Sequence, residues 1–195
     1  MTADADQCLD IPVDSKRKVM TLAFLSRDDE VLLGLKKRGL GEGLWNGFGG
    51  KVDPGEDIVD AAVREVKEEC GLSVLPEDME KFAIIHFEFV DDPVILEVHV
   101  FRCTKFSGAV EESEEMSPKW FPRNNVPHSQ MWRDDEVWYP LYLSGTKFRA
   151  YFLFEGYTTI LSYIIRDFYD HTVILKEQKK VADNHESNVV SLNSS

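Results

Sequence analysis

The sequence predicts an α/β fold, an α/β/α sandwich built around a mixed β-sheet. Three observations predict it: several β-rich apolar runs, two stretches whose apolar residues recur at helical spacing, and no internal repeat. VMTLAFL (19–25) and VLLGLKK (31–37) read as strands joined through SRDDE, a hairpin. GLGEGLWNGFGG (39–50) is too glycine-rich for regular structure and reads as a loop whose backbone approaches something closely. Residues 57–70 carry a helical pattern. FAIIHFEFV (82–90) and VILEVHVFRC (94–103) flank DDP as a second hairpin. EESEEMSPKWF (111–121) is an acidic loop entering a short strand, and KFRAYFLF (147–154) is strand-like. TTILSYIIRDFY (158–169) places Ile160, Ile164 and Phe168 at helical intervals, with Leu161 and Ile165 beside them, and predicts a second core helix. The domain is therefore expected over residues 18–169, between a polar leader (1–17) and a polar tail (170–195), both expected to be disordered.

A chain of 195 residues with 43% apolar content suits one domain with one core region. Its net charge of −13 excludes nonspecific binding to nucleic acid or to anionic membranes, which needs basic patches. A polyphosphate would also be repelled unless a metal intervened. Three cysteines, Cys8, Cys70 and Cys103, form no CxxC pair, which fits a reducing compartment and excludes a zinc knuckle. The N-terminus lacks an apolar core, and nowhere do eighteen apolar residues run together. A cytoplasmic monomer is expected, with nucleus or mitochondrion as alternative compartments.

On a helical wheel, Val59, Ala62, Val63, Val66 and Cys70 form one apolar stripe, which predicts packing against the sheet. Glu65, Glu68 and Glu69 fall on its flank. Like charges one turn apart cost a few tenths of a kcal/mol per pair, and more where water is stripped away. Two readings stand. The glutamates form a solvated face, with Arg64 and Glu68 as an i,i+4 pair, or they form a site for a hard cation such as Mg²⁺ or Mn²⁺, which takes oxygen ligands.

Reading onward from Gly50, the chain runs five residues to Glu56, seven more to Arg64, then Glu65, Val66, one residue, Glu68, Glu69, one residue, Gly71 and Leu72. This pattern resembles the Nudix box without a departure. The resemblance implies a Nudix fold and a hydrolase that cleaves a nucleoside diphosphate linked to another moiety, by attack of water at phosphorus. It implies that Glu65, Glu68 and Glu69 hold Mg²⁺ (or Mn²⁺), helped by the Gly49 carbonyl, while Arg64 and Glu56 brace the loop and helix. Glu115, in EESEEM, would be a further acidic residue near the metals; a solvated acidic loop is the alternative.

MTLAFL, KKRGLGEGLWNGFGGKV, FEFV, EVHVF, EEMSPKWF and MWRDDEVWYP are similar to the MutT-type branch of that family, which hydrolyses oxidised purine nucleoside triphosphates; the similarity spans residues 18–168. A purine pocket wants flat apolar walls and a few polar groups at the ring edge. The resemblance implies that Trp132, Trp138 and Phe87 supply walls and that Asn46, Asp134 and Asp135 face the base edge. Thr21, Leu22 and Met116 would line the pocket, Lys36 would lie near the phosphates, and Phe48, Gly49, Gly50 and Lys51 would belong to the substrate loop. Adjacent buried carboxyls repel, so one of Asp134 and Asp135 is expected to stay protonated and donate a hydrogen bond. The alternatives are an acidic helix cap at Asp134–Asp135 and plain core packing for the tryptophans. His99 reads as a satisfied core histidine, and Leu40 stands where the relatives carry an aromatic. The expected small-molecule substrate is 8-oxo-dGTP or a 2-hydroxy-dATP-like triphosphate. ADP-ribose, a dinucleoside polyphosphate or a capped RNA end are alternatives, as is a non-catalytic nucleotide-binding module.

Overall fold

The computed structural model describes residues 9, 11 and 15–178. Nine strands form one mixed sheet: β1 Lys16–Arg27, β2 Glu30–Lys36, β3 Trp45–Asn46, β4 Glu80–Phe89, β5 Val94–Cys103, β6 Met116–Pro122, β7 Phe148–Glu155, β8 Thr159–Asp167 and β9 Val173–Gln178. The order is β3-β2-β1-β5-β4-β7-β8-β9, with β6 paired to β2. β1 runs parallel to β5 and β4 parallel to β7, while the other named pairs are antiparallel. The mixed sheet is the expected one.

Neighbouring residues in a strand point to opposite faces, so Ala23 and Phe24 sort into different cores. Helix α1, Ile58–Cys70, covers the Ala23 face, where Ala62, Val66 and Cys70 join Leu25, Leu32 and Phe101. Helix α2, Asp135–Ser144, covers the Phe24 face through Trp138, Tyr139 and Tyr142. A helix on each face completes the sandwich. α1 stops at Gly71, whose φ of 77° places it in the left-handed region, and whose N–H donates to the Lys67 carbonyl.

The second helix is not where periodicity put it. Residues 159–167 are strand β8, paired with β7, and α2 lies earlier in the chain. Ile164 packs on one sheet face and Ile165 on the other. A strand covered on both faces carries adjacent apolar residues, which mimics a helical stripe, while the β-branched side chains suit the edge that β7 offers. Two further corrections concern the ends. β9 occupies residues 173–178, inside the stretch read as a disordered tail. Within the polar leader, Leu9 and Ile11 are buried against Ile95 and Ile164, with Tyr151 beside them, and β1 starts at Lys16. Residues 1–8 and 179–195 lie outside the described residues.

Candidate active site

The loop before α1 is threaded along β1. Ala23 and Phe48 exchange backbone hydrogen bonds, Thr21 N–H donates to the Gly50 carbonyl and Val52 N–H to the Val19 carbonyl. This fixes residues 48–52 over the flank of α1 that carries the glutamates. Gly50 sits so close to α1 that a β-carbon there would collide with the Glu65 carboxylate.

Arg64 ties the region together. Its guanidinium donates to both Glu56 oxygens (2.8 and 3.0 Å), to Glu65 (2.9 Å), to Glu68 (3.1 Å) and to the Lys51 carbonyl (3.2 Å). The fork beside Glu56 holds that carboxyl down at about 2. Glu69 is buried, accepting from Gly49 N–H at 2.8 Å and from Lys36 Nζ at 3.1 Å. Burial outweighs these partners and pushes its carboxyl up to about 6; burial also raises Glu65. Lys36 Nζ lies 3.1 Å from Glu115 as well, and Arg38 holds the other Glu115 oxygen at 2.8 Å.

The acidic helix face is therefore neither bare nor simply solvated. Lys36 and Arg64 share out its carboxylates, and among the described residues no three acidic, histidine or cysteine groups stand converged as a ready metal cage. The donor set nonetheless fits a hard cation. Carboxylate oxygens of Glu65 and Glu69 lie at the loop, Glu68 is exposed beside Arg64, and Glu115 comes from the acidic loop before β6, joined to Glu69 through Lys36.

A cleft of about 500 Å³ opens between this region and α2. Its floor is one sheet face: Met20 and Leu22 from β1, Leu96 and Val98 from β5, Ile85, Phe87 and Phe89 from β4, and Phe154 from β7. Lys36, Asn46, Gly49, Gly50 and Glu115 border one part; Trp132, Asp134, Asp135 and Trp138 border another. Asp134 and Asp135 are almost fully buried at the start of α2. Asp134 accepts from Trp138 Nε1 at 2.8 Å, and Asp135 from the Trp132 N–H at 3.1 Å. Burial raises both: Asp134 to about 6 despite the indole bond, and Asp135 well above the usual carboxylate range, with the charge of Asp134 adding to the effect. Asp134 stands at the helix cap but makes no side-chain capping bond.

Most of the expected residues meet here. Thr21 lines the cleft with Oγ1 beside Gly50, Asn46 lines it with Oδ1 accepting from Gly47 N–H at 2.8 Å, and Met116 lines it too. Leu40 is an exposed residue at its border. Two do not fit. The Phe48 side chain is fully buried in the core under α1, because its backbone pairs with Ala23, whose side chain faces that core, and it contributes only backbone. Lys51 is exposed outside the cleft and offers its carbonyl to Arg64. His99 is buried, 2.7 Å from Glu97, as a core histidine would be. The residues that sequence reasoning missed include Lys18, Met20, Arg38, Ile85, Phe89, Leu96, Val98 and Phe154. Alternation along β4 and β5 marked the apolar ones as sharing a face, but not which face met α2.

Residues 16–142 match the NUDIX domain model. The chain belongs to the Nudix family. Two similar curated proteins are oxidized purine nucleoside triphosphate hydrolases, each 46% identical to this chain. The mouse protein aligns over 153 residues (78% of this chain, 97% of the relative), the zebrafish protein over 146 (75% and 92%). Among solved structures, a MutT protein from Bacillus halodurans superposes with a TM-score of 0.68 at 25% identity, covering 76% of this chain and 97% of its own. The fixed positions of the Nudix box each have a physical task here. Gly50 admits the Glu65 carboxylate, Glu56 and Arg64 lock loop to helix, Val66 and Leu72 fill the core, and Gly71 ends α1. Nudix hydrolases use divalent metal ions, in keeping with the donor set at the loop and α1.

Proposed function

We propose that this Nudix hydrolase converts oxidised purine nucleoside triphosphates, of the 8-oxo-dGTP and 2-hydroxy-dATP type, to the monophosphate and pyrophosphate, with Mg²⁺ as its ion and Mn²⁺ as a substitute. The cell would thereby cleanse its nucleotide pool. One observation carries the reading: a single cleft runs from a buried carboxyl pair with aromatic walls to Gly49, Gly50, Lys36 and Glu115, and Gly49 and Lys36 bind Glu69 of α1 directly behind that end. The names of the mouse and zebrafish relatives support it.

Glu65, Glu68, Glu69 and Glu115, with the Gly49 carbonyl, would hold the ion. When bound, the ion supplies charge neutralisation at phosphate oxygens and a water of lowered pKa. Lys36 places its ammonium at the phosphate end, and Arg64 keeps the loop and α1 in register through Glu56. At the other end the purine lies between Phe87, Trp132 and Trp138, with Asn46 at its edge. Burial favours one shared proton on the pair; Asp134, which already accepts the Trp138 indole N–H, serves as the acceptor, and Asp135 keeps the proton and donates. An oxidised ring, with its altered donors and acceptors, meets that pair where an ordinary purine leaves a buried group unmatched.

No helix among the described residues is long and apolar enough to cross a membrane. We place the protein in the cytoplasm as a monomer acting on free nucleotides, with no nucleic-acid partner. The test is product analysis on 8-oxo-dGTP, 2-hydroxy-dATP, dGTP, ADP-ribose and a dinucleoside polyphosphate, with and without Mg²⁺. Metal-dependent pyrophosphate release, fastest from the oxidised nucleotides, is expected. Preference for ADP-ribose or the dinucleoside, or no turnover at all, overturns the proposal.

A further inference from the structure

We infer that Lys36 is an internal counter-ion that occupies the carboxylates of the metal site and must leave them before a divalent ion is held. The inference rests on the metal reading above. Lys36 reaches from the end of β2 into the gap between α1 and the acidic loop before β6, where its ammonium lies 3.1 Å from Glu69 and 3.1 Å from Glu115. The Glu69 side chain is only 5% exposed, so its charge is solvated by the protein rather than by water. Its two oxygens have two partners, Lys36 Nζ and the Gly49 N–H. Glu115 is likewise held by Lys36 on one oxygen and Arg38 on the other.

This arrangement has a direct consequence. A buried carboxylate without a cation is costly, so Lys36 stabilises the metal-free chain. The same contact opposes metal entry, because an ion taking the Glu69 and Glu115 oxygens must displace the ammonium. Once displaced, Lys36 still borders the cleft but lacks a carboxylate partner, and the anion that can satisfy it is a phosphate of the incoming nucleotide. Metal and triphosphate thereby favour each other's binding through one side chain, a coupling that runs equally in both directions. The free protein would bind little metal, and tight binding would await the nucleotide. Lys37, next along the chain, pairs with the exposed Glu112 outside this gap and takes no part.

The test is Mn²⁺ binding in the absence of nucleotide, followed by the loss of the free-ion electron paramagnetic resonance signal. Lys36→Met is expected to bind Mn²⁺ about tenfold more tightly than the native chain, equivalent to ~1.4 kcal/mol. Its thermal midpoint without metal should fall, and added Mn²⁺ should restore more stability to it than to the native chain. Lys36→Arg should bind as weakly as the native chain, and Lys37→Met should leave the affinity unchanged. Equal or weaker Mn²⁺ binding by Lys36→Met overturns the inference while leaving the metal site intact. If neither native chain nor variant binds Mn²⁺ even with a non-hydrolysable nucleoside triphosphate present, the metal reading itself falls. A second measurement does not depend on the variant folding. Acylation of Lys36 in the native chain, read by peptide mass spectrometry, should quicken when Mg²⁺ alone is added at saturating concentration. An unchanged rate at Lys36 overturns the inference.

Discussion

Replacing Trp138 by Phe removes one hydrogen donor from a buried wall of the cleft and little else. The indole is 1% exposed, and its Nε1 donates to Asp134 at 2.8 Å. Its edge-on neighbours Phe24 and Tyr139, at 5.8 and 6.1 Å, are apolar or already packed, and a phenyl ring keeps most of those contacts. A buried hydrogen bond to a charged group contributes about 1.5–3 kcal/mol, and the smaller ring forfeits about 1 kcal/mol of apolar burial. The expected destabilisation is about 3 kcal/mol. At about 2–4 °C per kcal/mol for a chain of this size, that is a fall of roughly 6–12 °C in thermal midpoint.

The pH dependence is the sharper test. The indole bond lowers a carboxyl that burial raises to about 6, so losing it raises Asp134 further. The native carboxyl already sits above its unfolded value, so folding takes up a proton and native stability declines as pH rises from the ordinary carboxylate range through about 6. In the variant that decline extends to higher pH. The gap between native and variant should therefore be smaller at about pH 5 and larger at about pH 8, on either side of the native carboxyl. Urea melts at both values measure it. A gap under about 0.5 kcal/mol, the ordinary scatter of harmless substitutions, or one that does not widen with pH, would refute the assignment of the indole to an ionised Asp134.

Glu69→Gln keeps the acceptor for Gly49 N–H but loses the charge, so the chain should fold, judged by circular dichroism, while kcat falls about 100-fold or more, the scale set by removing one electrostatic contact from a site. Asp134→Asn should reorder the ranking of 8-oxo-dGTP against dGTP in competition assays; an unchanged ranking counts against edge recognition. Asp135→Asn removes a carboxyl that must take up a proton to be buried, so it should raise the thermal midpoint at neutral pH while weakening discrimination between oxidised and ordinary purines. Leu9→Ala and Ile11→Ala should each cost about 2 kcal/mol, or roughly 4–8 °C, if the segment packs on Ile95 and Ile164 as described.

What could be read from the chain alone was what depends on local spacing. The Nudix box spans fewer than two dozen residues, and one helix places Glu65, Glu68 and Glu69 on one flank whatever the rest of the fold does. The exchange of helix for strand at residues 158–169 has the opposite origin. Ile164 and Ile165 are both buried because two faces of β8 are covered, and nothing within ten residues announces the Leu9 and Ile11 that cover one of them. Phe48 was misplaced for a similar reason: a loop of glycines gives no alternation to read, and its side chain follows the pairing of its backbone with Ala23. The cleft floor needed the order β1-β5-β4-β7, since Leu22, Val98, Phe87 and Phe154 become neighbours only when those strands do.

The two ends of the cleft divide the work by necessity. Every nucleoside triphosphate offers the same phosphates, so under the proposed function the loop and α1 hold substrates but cannot choose among them. Choice has to be made at the base, and an apolar wall alone tells purines apart weakly, whereas a buried polar group left unmatched costs far more. Asp134 and Asp135 are such groups, kept dry at the start of α2 with one local donor apiece. They burden the free protein, which loses stability by burying two neighbouring carboxyls. A stability-optimised core would replace them. Under the proposed function their presence beside Trp132 and Trp138 is explained by a ligand whose ring edge completes the pair, with folding stability exchanged for selectivity.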